Sequence, residues 1–179
     1  GDSLLGIHRL DQLTELSMTP TRKGQQRLFG QNIELAVHEA IELRQRLRQM
    51  PIRDIRDVEA MARLDANARQ KLEVPEHIAD ALVGEVVASG GNVTVLGMAL
   101  ASLAIQAGQV IDGDLDVLAS LRRRSIAALS TDLPTEKPVR KPFHWPLEFP
   151  EVFQRDFQGF NSIVSNPPFM GGLKISGAF

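Results

Sequence analysis

The sequence predicts a mainly α protein, with a bundle of helices in the middle of the chain and a short β segment near its C-terminal end. Three observations carry this prediction. Apolar residues recur at helical spacing through most of residues 21–129. Prolines and glycines divide that region into pieces of about one helix each. An apolar run with strand composition, Phe160 to Val164, follows a proline-rich linker.

The first predicted helix is a long amphipathic segment that begins after Pro20 and ends near Met50. Pro51 ends it, because proline is excluded from a helix interior. The residues that share its apolar face are Ile33, Ala36, Val37, Ala40, Ile41 and Leu47.

The next region predicts two helices that meet at Pro75. The first runs from about Asp54 to Glu73, and the second begins at Pro75, because a first helical residue needs no N–H donor. The helix that begins at Pro75 is the third predicted helix of the chain and is expected to end near Ala88. The sequence Gly90-Gly91-Asn92 then closes it and caps the helix that follows.

Residues 93–107 are apolar nearly all round and predict a central buried helix, too short to cross a membrane. Asp112 is expected to cap a fifth helix. Residues 130–142, with three prolines and mixed charge, are expected to be a linker. The apolar residues of the fifth helix are Leu115, Leu118, Leu121 and Ile126.

Composition places the chain among globular proteins and limits the sites it carries. It has 179 residues, 43% of them hydrophobic and 23% charged, enough for one core of ordinary domain size. The formal net charge is −2, whereas a domain that grips DNA by itself is usually basic. The absence of cysteine excludes disulfides and thiolate zinc sites and fits a reducing cytoplasm. The four histidines are scattered, so no metal site is expected.

Two groups of arginines are candidate contacts to nucleic-acid phosphates. Acidic residues are interleaved with the arginines, so the favoured interpretation is a solvated helix face that is balanced by nearby Glu and Asp. The two groups are Arg44, Arg46 and Arg48, and the run Arg122-Arg123-Arg124.

The candidate catalytic motif is Asn166-Pro167-Pro168-Phe169, which follows the apolar run directly. Two consecutive prolines fix φ at two positions and restrict the residue before each, so the segment is stiff and holds the Asn166 amide in place. The plain alternative is a rigid turn after a strand, since Asn-Pro and Pro-Pro are turn signals.

An apolar strand that runs into Asn-Pro-Pro-Phe resembles the catalytic loop of amino-group DNA methyltransferases that use S-adenosylmethionine. The resemblance implies that the Asn166 side-chain oxygen and the Pro167 carbonyl accept the two hydrogens of a base amine. Phe169 would stack on the target base, which is first flipped out of the duplex. Adenine is preferred to cytosine because Asn, rather than Ser, precedes the prolines.

Two further segments carry the resemblance. Residues 142–153, with His144 and Trp145, look like the stretch before Asn-Pro-Pro in fused restriction-modification methylases of the Eco57I type. Residues 1–6 resemble the segment after the third strand of that catalytic domain, which would place Asp2 at the adenine end of the cofactor. His144 and Trp145 are expected to pack against the core rather than to act in catalysis. The family usually has Asp and Gly where this sequence has Asn161 and Ser165.

The resemblance implies an α/β S-adenosylmethionine-dependent methyltransferase sheet to which the β segment belongs. It divides the chain into residues 1–20 of the methyltransferase core, a helical insertion at 21–129, the linker at 130–142 and the strand and catalytic loop at 143–179. No glycine-rich strand-to-helix turn is present to hold the methionine end of the cofactor. We therefore expect a fragment of a larger cytoplasmic enzyme that acts on double-stranded DNA, inactive alone, with no submillimolar binding of S-adenosylmethionine.

The competing hypothesis is a helical interaction module in which the Asn-Pro-Pro segment is only a turn. Such a module would bind a protein partner through an exposed apolar helix face.

Overall fold

A computed structural model describes residues 4–20, 28–134, 136–153 and 159–164. These residues form helices and no strand, so the prediction of a mainly α protein is confirmed. The helices are α1 (Leu10–Thr14), α2 (Gly30–Gln49), α3 (Ile55–Ala88), α4 (Val93–Ile111), α5 (Leu115–Leu129), α6 (Trp145–Glu148) and α7 (Pro150–Phe153).

The core lies where α2 and α5 pack on the long helix α3, with α4 and the short N- and C-terminal segments around them. Burial of large apolar side chains there supplies the main stabilisation, about 1.5–3 kcal/mol for each fully buried Leu or Ile. The largest such side chains are Ile7, Leu13, Leu16, Ile33, Leu72, Ile78, Leu82, Leu103, Leu121 and Leu147.

The predicted amphipathic helix that ends before Pro51 is confirmed as α2, but it begins at Gly30, after a turn at Leu28 and Phe29, rather than directly after Pro20. Met50 is its C-terminal cap residue, and the backbone N–H of Met50 donates to the Leu47 carbonyl. Four of the six residues assigned to its apolar face are buried: Ile33, Val37, Ala40 and Ile41.

The prediction of two helices that meet at Pro75 was wrong, because α3 continues through Pro75 without a break. Proline in a helix interior removes one hydrogen bond and crowds a carbonyl, at a cost of about 3 kcal/mol. Here Leu72, Pro75, Ile78 and Ala79 are all buried on the stripe that faces the core. Packing along that continuous stripe offsets the local cost.

The turn that joins α3 to α4 is confirmed as predicted. Gly90 and Gly91 adopt positive φ values of 54° and 85°, a region that glycine occupies without a steric penalty. The Asn92 side chain then accepts hydrogen bonds from the N–H groups of Thr94 and Val95, each at 3.1 Å. These bonds satisfy two of the free donors at the start of α4.

The predicted cap of the fifth helix was wrong by two residues. Asp112 ends α4, where its N–H donates to the Gly108 carbonyl at 3.0 Å. Gly113 turns the chain with a φ of 98°, and Asp114 then caps α5. The Asp114 side chain accepts from the N–H groups of Asp116 and Val117 at 3.1 and 3.0 Å.

Helix α4 is not the buried central helix that its composition predicts. Leu103, Ala107 and Val110 are buried against the bundle, whereas Met98 and Ile105 are 65% and 68% exposed. Only one side of α4 packs on the bundle, so its apolar residues on the opposite side remain in contact with water. Apolar composition alone does not reveal how many sides of a helix find neighbours.

Among the described residues, α4 is also long and apolar enough to cross a membrane, judged by length and composition alone. The prediction that no apolar run reaches that length was therefore wrong. A mostly buried core helix of a soluble protein passes the same test, whereas 17% of the apolar window of α4 is buried.

The predicted strand at residues 160–164 is absent from the part of the chain that the structure describes. Those residues are irregular, and Ile163 and Val164 are exposed. A strand requires a neighbouring strand for its backbone hydrogen bonds, and the described residues offer none.

Candidate functional site

The residues that the sequence predicts for catalysis and cofactor binding lie outside the described residues. They are Asn166, Pro167, Pro168 and Phe169 in the catalytic motif and Asp2 near the N-terminus. The structure does describe the segments next to them, residues 4–7 and 141–153 with residues 159–164.

Residues 5–7 and residues 143–145, from opposite ends of the chain, are paired through their backbones. The Phe143 N–H donates to the Leu5 carbonyl at 2.7 Å, and the Trp145 N–H donates to the Ile7 carbonyl at 3.1 Å. Residue numbers rise together along both segments, so the pairing is parallel. The helical bundle α2–α5 lies between the two segments in sequence.

Gly6 makes this close pairing possible. Its φ is 152°, a conformation that residues with a side chain rarely adopt. A Cβ atom at this position would lie 2.2 Å from the Phe143 carbonyl oxygen. Because that neighbour is backbone, no side-chain rotation relieves the clash, and the position requires glycine.

His144 joins three parts of the molecule and is 5% exposed. Its Nδ1 atom accepts a hydrogen bond from the Ile7 N–H at 3.3 Å. Its Nε2 atom lies 3.1 Å from Asp80 Oδ1 on α3. Because Nδ1 accepts a hydrogen bond, the ring proton is on Nε2, and Nε2 donates a hydrogen bond to the Asp80 carboxylate. The prediction that His144 packs against the core is confirmed.

Four phenylalanine rings surround Trp145, and we call these five rings together the aromatic cluster. The Phe143 and Trp145 ring centroids are 4.9 Å apart in an edge-to-face arrangement. Phe149 and Phe160 are 5.1 Å apart in the same arrangement, which is the favoured geometry for aromatic pairs. The predicted packing role of Trp145 is thereby confirmed. The cluster comprises Phe143, Trp145, Phe149, Phe153 and Phe160.

Arginines of α2 hold the segment that contains the aromatic cluster against the bundle. The Arg44 guanidinium donates to the Glu148 carbonyl at 2.7 Å and lies 3.3 Å from the Glu151 carboxylate. Arg48 also pairs with Glu151. The predicted balance by an acidic side chain is confirmed for both arginines, but the predicted solvated face is wrong for Arg44, whose side chain is 18% exposed.

The run Arg122-Arg123-Arg124 is balanced in a similar way. Arg124 donates to the Glu85 carboxylate of α3 at 2.8 Å. Arg122 lies 4.0 Å from the Glu73 carboxylate and is half exposed. The predicted balance of arginine by acidic residues is confirmed for these two, although the acids belong to another helix.

Glu76 on α3 is the group whose proton affinity departs most clearly from its ordinary value. Burial raises its pKa from 4.5 to about 7, and the negative charges of Glu148 and Asp80 add to the effect. Arg69 and Arg44 act in the opposite direction. Sequence reasoning missed Glu76, and its helical spacing from Asp80 was the only signal available, since Glu148 is distant in sequence.

The contacts described above hold segments of the chain against one another. Among residues 4–20, 28–134, 136–153 and 159–164, no group of His, Asp and Glu side chains has the geometry of a metal site. These residues fix residues 4–7, α6, α7 and Phe160 to one another. Comparisons of the chain with protein-family models, curated proteins and solved structures found no match.

Proposed function

We propose that this chain is part of a cytoplasmic DNA methyltransferase that moves a methyl group from S-adenosylmethionine to the N6 amine of adenine, in restriction-modification or phage defence. The supporting observation is the parallel backbone pairing of residues 5–7 with residues 143–145. These segments carry the resemblance to the Eco57I type of enzyme. Their pairing is the arrangement expected if one catalytic domain is interrupted by a helical insertion.

In this proposal the Asn166 side-chain oxygen and the Pro167 carbonyl accept the two hydrogens of the adenine amine. Their pull reduces the delocalisation of the nitrogen lone pair into the ring, so the amine becomes a better nucleophile. Pro168 stiffens the peptide and Phe169 stacks on the flipped base. S-adenosylmethionine, when bound, would supply the methyl group by breaking its S–CH3 bond and would leave as S-adenosylhomocysteine, while the methylated amine would lose one proton to solvent.

In this proposal, other parts of the enzyme would complete the cofactor and DNA sites. Asp2 would contact the adenine end of the cofactor, but the sequence carries no glycine-rich turn for the methionine end. The net charge of −2 places most phosphate contacts elsewhere as well. Residues 160–164 would pair with further strands of the α/β methyltransferase sheet.

The test uses the complete natural protein that contains this chain. It is incubated with double-stranded DNA and S-adenosylmethionine that is labelled in the methyl group, beside an Asn166→Ala variant with an unchanged circular dichroism spectrum. Label recovered in N6-methyladenine with the natural protein, and lost in the variant, supports the proposal. An Arg123→Ala variant, changed far from the motif in sequence, serves as the matched control and is expected to retain transfer.

Two results would overturn the proposal. One is the absence of label from adenine with every DNA offered. The other is label in adenine that survives Asn166→Ala unchanged, because the amine would then be polarised by another group.

A second candidate function, a helical protein-interaction module, is favoured by the exposed apolar side of α4. The large side chains that α4 leaves to solvent are Val93, Val95, Met98 and Ile105. A double variant, Met98→Glu with Ile105→Glu, separates the two functions. Loss of a co-purifying protein in this variant, with methyl transfer absent throughout, would favour the interaction module.

A further inference from the structure

We propose that Phe160 is a positioning residue for adenine methylation, held by the aromatic cluster so that the peptide leading to Asn166 starts from a fixed point. This inference rests on the proposed function and adds a residue that the Asn-Pro-Pro-Phe motif does not include. Phe160 belongs to the described part of the chain and comes six positions before Asn166.

Phe160 contacts three of the other four rings of the aromatic cluster. Its centroid lies 5.1 Å from Phe149, 5.9 Å from Trp145 and 5.9 Å from Phe153. The interplanar angles are 79°, 74° and 85° in the same order, so all three partners meet Phe160 in edge-to-face geometry. Three such contacts define the orientation of a ring more tightly than one.

The backbone beside Phe160 has its own tether. The Gly159 N–H donates to the Val152 carbonyl of α7 at 3.4 Å, with Gly159 at a φ of 133°. The partners of Phe160 are fixed in turn, since the Trp145 N–H donates to Ile7 and Glu151 pairs with α2. The anchor therefore extends from Phe160 through α7 and α6 into the bundle.

Beyond Phe160 the described chain leaves this support. Ile163 and Val164 are 73% and 97% exposed and lie only three and two positions before Asn166. Phe160, itself 39% exposed, is the last described residue before the motif with ring contacts. An anchor at this point limits the positions that the motif can reach, and loss of positioning lowers the rate.

The chain is well suited to a direct test of the anchor. It contains one tryptophan, Trp145, no tyrosine and no cysteine. A single Val164→Cys change gives a unique labelling site at an exposed position, and energy transfer from Trp145 to a dye there reports the distance. The distribution of donor lifetimes is measured with Phe160 intact, with Phe160→Ala and with Phe160→Tyr, each against its own unlabelled protein.

We expect a narrow distance distribution with Phe160, a broad one with Phe160→Ala, and recovery with Phe160→Tyr, which keeps the ring. Met98→Ala, an exposed apolar change on α4, is the matched control and should leave the distribution narrow. Equal distributions for Phe160 and Phe160→Ala would overturn the anchor, whatever the reaction of the complete protein.

The second measurement is methyl transfer by the complete natural protein. Phe160→Ala should lower kcat roughly 10-fold with KM for DNA changed less than about twofold, and Phe160→Tyr should restore most of it. An unchanged kcat, or an equal loss with Met98→Ala, would overturn the positioning role. If the natural protein transfers no methyl group, the proposed function fails and this role fails with it, even where the anchor itself is confirmed.

Discussion

The backbone N–H of Ile7 donates a hydrogen bond to Nδ1 of His144, a residue 137 positions away in sequence, at 3.3 Å. The same ring meets Asp80 of α3 through its other nitrogen. One neutral imidazole thus uses both of its polar atoms to connect the N-terminal segment, the C-terminal segment and the longest helix. A side chain that lacks an acceptor at the place of Nδ1 leaves the buried Ile7 N–H unpaired.

We predict that His144→Ala lowers the free energy of unfolding by about 2–4 kcal/mol, because it leaves the Ile7 donor unsatisfied and removes a buried ring. Urea unfolding, followed by circular dichroism, measures the change. The matched control is His38→Ala, since His38 is exposed on α2 and should cost no more than about 0.5 kcal/mol. Equal effects of the two changes would contradict the assigned role of His144.

Gly6→Ala is predicted to destabilise the fold by about 1–3 kcal/mol or to separate residues 5–7 from residues 143–145. The cause is the clash of the new Cβ with the Phe143 carbonyl at a positive φ. Gly97→Ala is the control, because Gly97 lies inside α4 with open space around it and should stabilise by about 0.5–1 kcal/mol. A neutral or stabilising Gly6→Ala would show that the pairing is looser than described. Thermal unfolding of the three proteins distinguishes these outcomes.

Glu76 is predicted to make the protein less stable as pH rises from about 4.5 to about 7. Its pKa in the fold, about 7, exceeds its ordinary value of 4.5, so the neutral acid is the form that the fold favours. Its contribution is present below pH 4.5 and is lost as the pH passes through 7. Glu76→Gln should therefore stabilise at neutral pH by about 1 kcal/mol, once solvent screening is allowed for.

Unfolding by urea at several pH values, for both proteins, tests this prediction. Glu59→Gln on the exposed part of α3 is the control and should shift stability by no more than about 0.5 kcal/mol at any pH. If the difference between the natural protein and Glu76→Gln does not grow with pH, the raised pKa of Glu76 is wrong.

The exposed side of α4 is predicted to tolerate a charge. Ile105→Lys should change the free energy of unfolding by less than about 0.5 kcal/mol, because Ile105 is exposed. Leu103→Ala on the buried side of the same helix should cost about 2–5 kcal/mol. Chemical denaturation of both variants measures the contrast. A large loss with Ile105→Lys would indicate that this side is covered in solution.

The local signals in the sequence predicted the local structure well. The end of α2 before Pro51 and the turn at Gly90, Gly91 and Asn92 depend on residues within a few positions of one another. Proline geometry, positive φ and side-chain capping act over that range, so the sequence is sufficient to predict them.

The errors arose where distant packing decides the outcome. Pro75 remains inside a helix because a continuous buried stripe supports both sides of it, and α4 is exposed because only one of its sides finds neighbours. Composition and spacing contain neither fact. Asp114, rather than Asp112, caps α5 because α4 extends to Ile111 before Gly113 turns the chain.

For the candidate site, the sequence provided the motif and the structure provided its setting. Asn166, Pro167, Pro168, Phe169 and Asp2 remain predictions. The Ile7–His144 bond and the raised pKa of Glu76 involve partners more than 70 positions apart, and no periodicity in a single sequence reveals such partners.

Because Leu5 and Ile7 pair with Phe143 and Trp145, the segments that precede and follow the helical bundle in sequence lie side by side. The entropic cost of closing a loop rises only with the logarithm of its length. The cost of bringing the two ends together is therefore similar for inserted segments of very different length. Changes of length inside the bundle are therefore compatible with the pairing as long as α2 and α3 keep their contacts to Glu151 and His144. A helical unit grafted at the same two points would have to match the short gap and supply partners for both side chains.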